Sequence, residues 1–93
     1  MPRQRGRIQT IPKEILAREI RTIIQYRHLN QAQAAEIVGD AQSQLSLVLS
    51  GKLDGFSSDR LLQMLLRLGR NVDIIIKPTG GVRRAGKLRV RLE

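Results

Sequence analysis

The stretch Leu29-Asn30-Gln31-Ala32-Gln33-Ala34-Ala35-Glu36-Ile37-Val38-Gly39-Asp40-Ala41-Gln42-Ser43-Gln44-Leu45-Ser46-Leu47-Val48-Leu49-Ser50-Gly51 decides the fold. Asn30 is set to cap a helix and Gln33, three positions on, can reach back to it, so a short helix is expected over Gln31 to Val38. Its alanines at 32, 34 and 35 let another helix cross at close range, and Gly39 supplies a left-handed stop. A further helix begins at Asp40 or Ala41 and runs through Leu49, with Leu45 and Val48 on its inner face. Ser50-Gly51 ends it. The outward residues Gln42, Ser43, Gln44, Ser46 and Leu47 are uncharged and mostly polar.

Upstream, Ile11-Pro12-Lys13-Glu14 is a helix-start signal, with Pro tolerated in the first turn and an acid near the positive end of the dipole. That helix should reach about Arg27. Leu16, Ile20, Ile23 and Ile24 form its apolar stripe, and Arg18, Arg21, Gln25 and Arg27 lie mostly off it. His28 follows with no carboxylate or nucleophile pattern beside it and reads as a surface or capping residue.

Downstream, Ser57 caps a fourth helix, and Phe56 before it is placed to pack on Leu61. Leu61, Leu62, Leu65 and Leu68 supply the apolar face, and Gly69 closes the helix. The period then changes to two. Val72, Ile74 and Ile76 alternate with Asp73 and Lys77, Ile75 intrudes on the second face, and Pro78 ends the run, which predicts a strand. A strand needs a partner for its backbone groups. Lys87 to Leu92 could fold back across Gly80-Gly81 as a hairpin, or the strand could pair with its copy in a second chain. So apolar a run suggests two covered faces, which favours the dimer and makes Val72, Ile74, Ile75 and Ile76 its expected interface.

The fold class expected is all-α, a four-helix helix-turn-helix domain followed by one C-terminal strand pairing across a dimer. Residues 1–9 would be a basic arm, 10–77 the domain and 78–93 a mobile basic tail. Ninety-three residues allow one small core, and with one Phe, one Tyr and no Trp that core must be aliphatic, which argues against an aromatic platform for single strands. Zero cysteines exclude disulfides, thiolate nucleophiles and thiolate metal sites. With a single histidine and no general-base pattern near Ser57 or Ser58, we expect neither catalytic residues, nor a metal, nor a cofactor. No apolar run approaches the roughly 18 residues of a membrane span, so a cytoplasmic protein is expected.

The net charge of +9 is unevenly spread. Arg3, Arg5 and Arg7 at one end, and Lys77, Arg83, Arg84, Lys87, Arg89 and Arg91 against Glu93 at the other, hold nearly all of it. Residues 10–76 are almost neutral. Basic ends on a neutral core suit a polyanion, most simply DNA or RNA, because neutralising phosphates releases condensed counterions. The bland alternative is a solubility tail.

A short capped helix, a glycine turn and a second short helix with an uncharged hydrogen-bonding face are what entry into a major groove requires. With Gln31, Ala35, Gly39, Gln42 and Gly51 in gapless register, residues 29–51 resemble the helix-turn-helix of the phage-repressor (XRE, Cro/C1-type) family. The flanking Ser50 to Ser57, the Leu-rich helix to Gly69 and the run Val72 to Lys77 are similar to small HigA-like antitoxins of bacterial toxin–antitoxin operons. The resemblance implies an autorepressor that binds a palindromic double-stranded operator as a homodimer and also binds a RelE/HigB-type toxin. It further implies a phosphate contact at Gln31, base-facing roles for Gln42, Ser43, Gln44, Ser46 and Leu47, and a phosphate contact at Lys52.

Two departures stand out. Asp40 occupies a position the family fills with an aliphatic residue, where an acid near phosphates should weaken binding slightly, and Ala41 replaces a capping Ser or Thr. With no Lys or Arg on the reading face, phosphate attraction is expected from an arm of Arg3, Arg5 and Arg7, and from Arg27. The competing readings are a stand-alone phage-type repressor and an arm-driven RNA-binding or structural protein.

Overall fold

The computed structural model describes residues 10–82 and 84–93. Pro12 sits extended at φ −72° and ψ 101° and opens α1, Lys13–Tyr26, with Glu14 in the first turn. Leu16, Ala17, Ile20, Ile23 and Ile24 repeat at helical spacing and are all buried. α2, Gln31–Val38, is opened by the capping box expected from Asn30 and Gln33. α3 is Gln42–Leu49 with Ala41 flanking it, so the helix starts just after the expected Asp40 or Ala41. α4, Ser58–Arg67, begins at Ser57, whose Oγ accepts from the Arg60 N–H at 3.0 Å.

All four helices close alike, with a backbone N–H two or three residues past the last helical residue bonding back five residues: Leu29 to Ile24, Asp40 to Ala35, Lys52 to Leu47 and Arg70 to Leu65, at 2.9–3.1 Å. Each closure needs one residue in the left-handed region. Gly39, Gly51 and Gly69 fill it in three cases, and His28, at φ 55°, fills it in the first. The histidine is thus an exposed helix terminator, as its position suggested.

The interior is aliphatic, as composition required. α1 packs on α4 and α3, and α2 packs on α3 and α4. Ala34 and Ala35 are buried where helices meet, while Ala32 faces outward. Phe56 and Leu53, from residues 50–57 between α3 and α4, complete the core, with both Phe56 and Leu61 buried as the staple reading required. One assignment on α4 changes. The expected apolar face of Leu61, Leu62, Leu65 and Leu68 is built instead from Leu61, Met64, Leu65 and Leu68, and Leu62 is only half-buried, because it lies about 100° around the helix from Leu61.

Three cations, two on α1 and Arg27 just past it, bond carbonyls of the facing segments. Lys13 Nζ donates to the Leu53 and Phe56 carbonyls at 3.1 and 2.9 Å, Arg21 Nε to Leu49 O at 3.4 Å, and Arg27 Nη1 to Leu68 O at 3.3 Å. They satisfy acceptors that helix ends and loops leave open.

Pro12–Asp73 form one compact unit, and the remaining described residues group separately. In that second group, Thr79 Oγ1 donates to Gly81 O at 2.8 Å and accepts from Gly81 N at 3.2 Å, forming a tight turn with Gly80 at φ 92°. Among the described residues none is assigned to a strand. Among the described residues the run expected as a strand has no ladder partner, and Ile74, Ile75 and Ile76 are 76%, 78% and 93% exposed. Neither Val72 to Lys77 nor Lys87 to Leu92 therefore forms the hairpin that was the other arrangement.

Candidate nucleic-acid interface

α2 and α3 meet across Gly39-Asp40-Ala41. The capping box fixes the entry to α2: Gln33 N donates to Asn30 Oδ1 at 2.8 Å, and Asn30 N donates to Gln33 Oε1 at 2.9 Å. Gln33 is thereby committed to structure. Gln31, the first residue of α2, is exposed, and no partner engages its amide among the described residues.

α3 divides cleanly between core and solvent. Leu45 and Val48 are completely buried, Gln42 and Ser43 are exposed, Gln44 and Ser46 are half-buried, and Leu47 is 37% exposed. The outward residues therefore form one ridge of amides and hydroxyls with a single apolar member, free of charge. Ala41 provides no side-chain cap, so the first N–H groups of α3 are open at the positive end of its dipole. Lys52 is exposed just beyond the helix, and with Gln44, Leu47 and Phe56 it borders a shallow open depression at the end of the ridge.

Two charged residues gain partners that the sequence did not show. Asp40 does not confront solvent alone, because Arg60 of α4 donates from Nη2 to Asp40 Oδ1 at 2.6 Å. Arg27, although exposed, donates from Nη1 to the Leu68 carbonyl at the end of α4 at 3.3 Å. Arg3, Arg5 and Arg7 lie outside the described residues. Arg60 and Lys13 were missed from sequence, and no spacing rule could have found them: their partners lie 20 and 40 or more residues away.

Among the described residues no cluster of His, Cys, Asp or Glu is arranged to hold a metal, and no helix is long and apolar enough to cross a membrane. A pair of short helices crossing at a glycine turn, the second exposing an uncharged polar ridge, defines a helix-turn-helix protein. The sequence matches the Helix-turn-helix domain family over residues 5–77, and the chain belongs to that family. A solved structure described as an XRE-family transcriptional regulator is similar to it at a TM-score of 0.80 and 33% identity, over 87% of this chain and 91% of that one. No curated protein sequence matches it.

Proposed function

We propose that this chain is a sequence-specific DNA-binding transcriptional regulator that acts by binding, as a homodimer on a palindromic duplex. The observation that carries this reading is the ridge of Gln42, Ser43, Gln44, Ser46 and Leu47, which faces solvent while Leu45 and Val48 anchor the same helix in the core. Gln amides can donate and accept at once, which suits adenine N6 and N7, and Leu47 suits a thymine methyl. Gln31 and Lys52 flank the ridge as phosphate contacts, and residues 1–9 and 78–93 add non-specific attraction.

The dimer reading is supported by the apolar run Ile74 to Ile76, far too exposed for a lone chain. Antiparallel pairing of Asn71 to Lys77 with its copy would supply a ladder that the described residues do not, and cover Val72, Ile74, Ile75 and Ile76. Two reading helices would then enter successive major grooves about 34 Å apart. The finer reading is an antitoxin and autorepressor of a type II toxin–antitoxin operon, partnered by a RelE/HigB-type toxin. Its support is the resemblance of residues 50–77 to HigA-like proteins.

Selection of the full chain against a random duplex library tests the core of the reading. An inverted repeat should be enriched, and Gln42→Ala and Gln44→Ala should each weaken binding to it by about tenfold, the size of one lost base contact, with thermal stability unchanged. Enrichment of no sequence, or wild-type affinity in both variants, refutes it. Enrichment of a repeat with no complex formed with the adjacent gene's product would favour a stand-alone repressor over an antitoxin.

A further inference from the structure

Arg60 touches both flanks of α3. Its Nη2 donates to Asp40, two residues before the helix, and its guanidinium lies 4.6 Å from the ring centroid of Phe56, in the segment that follows the helix. Arg60 itself belongs to neither flank, because it sits in the first turn of α4, oriented by the Ser57 cap. Two turns further along α4, Arg67 lies against the same turn: a Cβ added to Gly39 would come within 2.9 Å of its Nη1. The spacing of seven residues puts both arginines on one face of α4. Lys13 holds the distal flank as well, bonding the Leu53 and Phe56 carbonyls.

α3 itself offers little to fix its own angle. It has eight residues, no side-chain cap and two fully buried side chains. A charged fork bonded to a carboxylate before the helix and stacked on an aromatic ring after it supplies the missing directional restraint. We propose that Arg60 is a positioning residue for the reading helix, with Asp40 as its acceptor and Phe56 as its platform. Asp40 is then an aid to recognition, although an acid beside phosphates would by itself oppose binding. Arg60 acts through α3 and touches no base.

This inference rests on the reading of α3 as the DNA-reading helix, and the experiment separates the two. The full chain and its Arg60→Met, Arg60→Lys and Asp40→Asn variants are titrated with the duplex selected by the wild-type chain and with a scrambled duplex, across a salt series, with thermal unfolding as control. Positioning predicts that Arg60→Met and Asp40→Asn lose about tenfold on the selected duplex, the size of one misaligned base contact, with little change on the scrambled one. Arg60→Lys keeps the charge but not the planar fork, so it should show most of the same selective loss.

If Arg60 were instead a phosphate contact, Arg60→Met would weaken both duplexes alike and lower the salt slope by about one. If Asp40 only repelled DNA, Asp40→Asn would tighten both. Either result overturns the proposal, as does wild-type selectivity in all three variants. A variant that unfolds is replaced in the comparison by Arg60→Lys and Asp40→Asn, each of which carries the same selective prediction. Failure of the wild-type chain to select any duplex would instead strike the reading of α3 and take this inference with it.

Discussion

α3 and α4 are neighbours of similar length built on opposite plans. α4 has a serine cap, an acid in its first turn, a base in its last, and buries Leu61, Met64 and Leu65, with Leu68 just beyond. α3 has no side-chain cap, no charge, and buries only Leu45 and Val48. The first follows the rules of a stable helix. The second is left bare at its leading end and on its outer face, where a helix meant only for stability would be capped and charged. That difference fits the proposal that α3 is the element offered to DNA, while α4 packs on α1 and α2 as part of the frame.

The largest test of this contrast concerns anchoring. Leu61→Ala should cost about 3 kcal/mol, as complete burial of a leucine predicts, lowering the thermal midpoint by more than about 10 °C. Leu45→Ala should match it, because that leucine is equally buried and α3 has so few other anchors. A loss under about 1 kcal/mol for Leu45→Ala in a calorimetric scan would mean that α3 is not seated by its core face.

Capping gives a smaller effect of opposite sign in the two helices. Ser57→Ala should lose about 1 kcal/mol, and Ala41→Ser should gain somewhat less than that by accepting from the open N–H groups of α3. Ala41 has the extended φ −66° and ψ 146° that a cap requires. If α3 is bare because a phosphate uses those groups, Ala41→Ser should be more stable in urea titration yet bind its selected duplex no better. Stability and affinity rising together would break the comparison.

The smallest effect lies at the helix closures. His28 is the one left-handed terminator that is not glycine. His28→Gly should stabilise the fold by roughly 0.5 kcal/mol, read as a higher urea midpoint, the relief of left-handed strain less the extra chain entropy of glycine. A fall in the midpoint would show that the imidazole contributes something the backbone geometry does not reveal.

Much of this was readable from residues near one another in the chain. The capping box of Asn30 and Gln33, the stop at Gly39, the cap at Ser57 and the burial of Leu45 and Val48 all follow from local spacing. The exposed ridge followed in turn, because the buried pair of α3 dictates which residues face out. Partners that depend on packing were not readable. Asp40 could be recognised as out of place, but its pairing with Arg60 emerges only when α2 and α4 are brought together. Arg27 illustrates the same limit: a basic residue at a helix end can serve a phosphate or a neighbouring carbonyl, and only the fold chooses. For Val72 to Lys77 the limit is of another kind, since a strand is defined by what it pairs with and spacing along one segment does not name the partner.

Among the described residues the interior holds no polar or charged side chain. An oily centre brings helices together but is tolerant of how they are rotated, since hydrocarbon contacts have no preferred direction. The orientation of this bundle is therefore written around its perimeter, where Lys13 bonds two particular carbonyls and Arg21 and Arg27 one each. Variation in those rim residues offers a route by which relatives with interchangeable centres could come to hold their helices at different tilts.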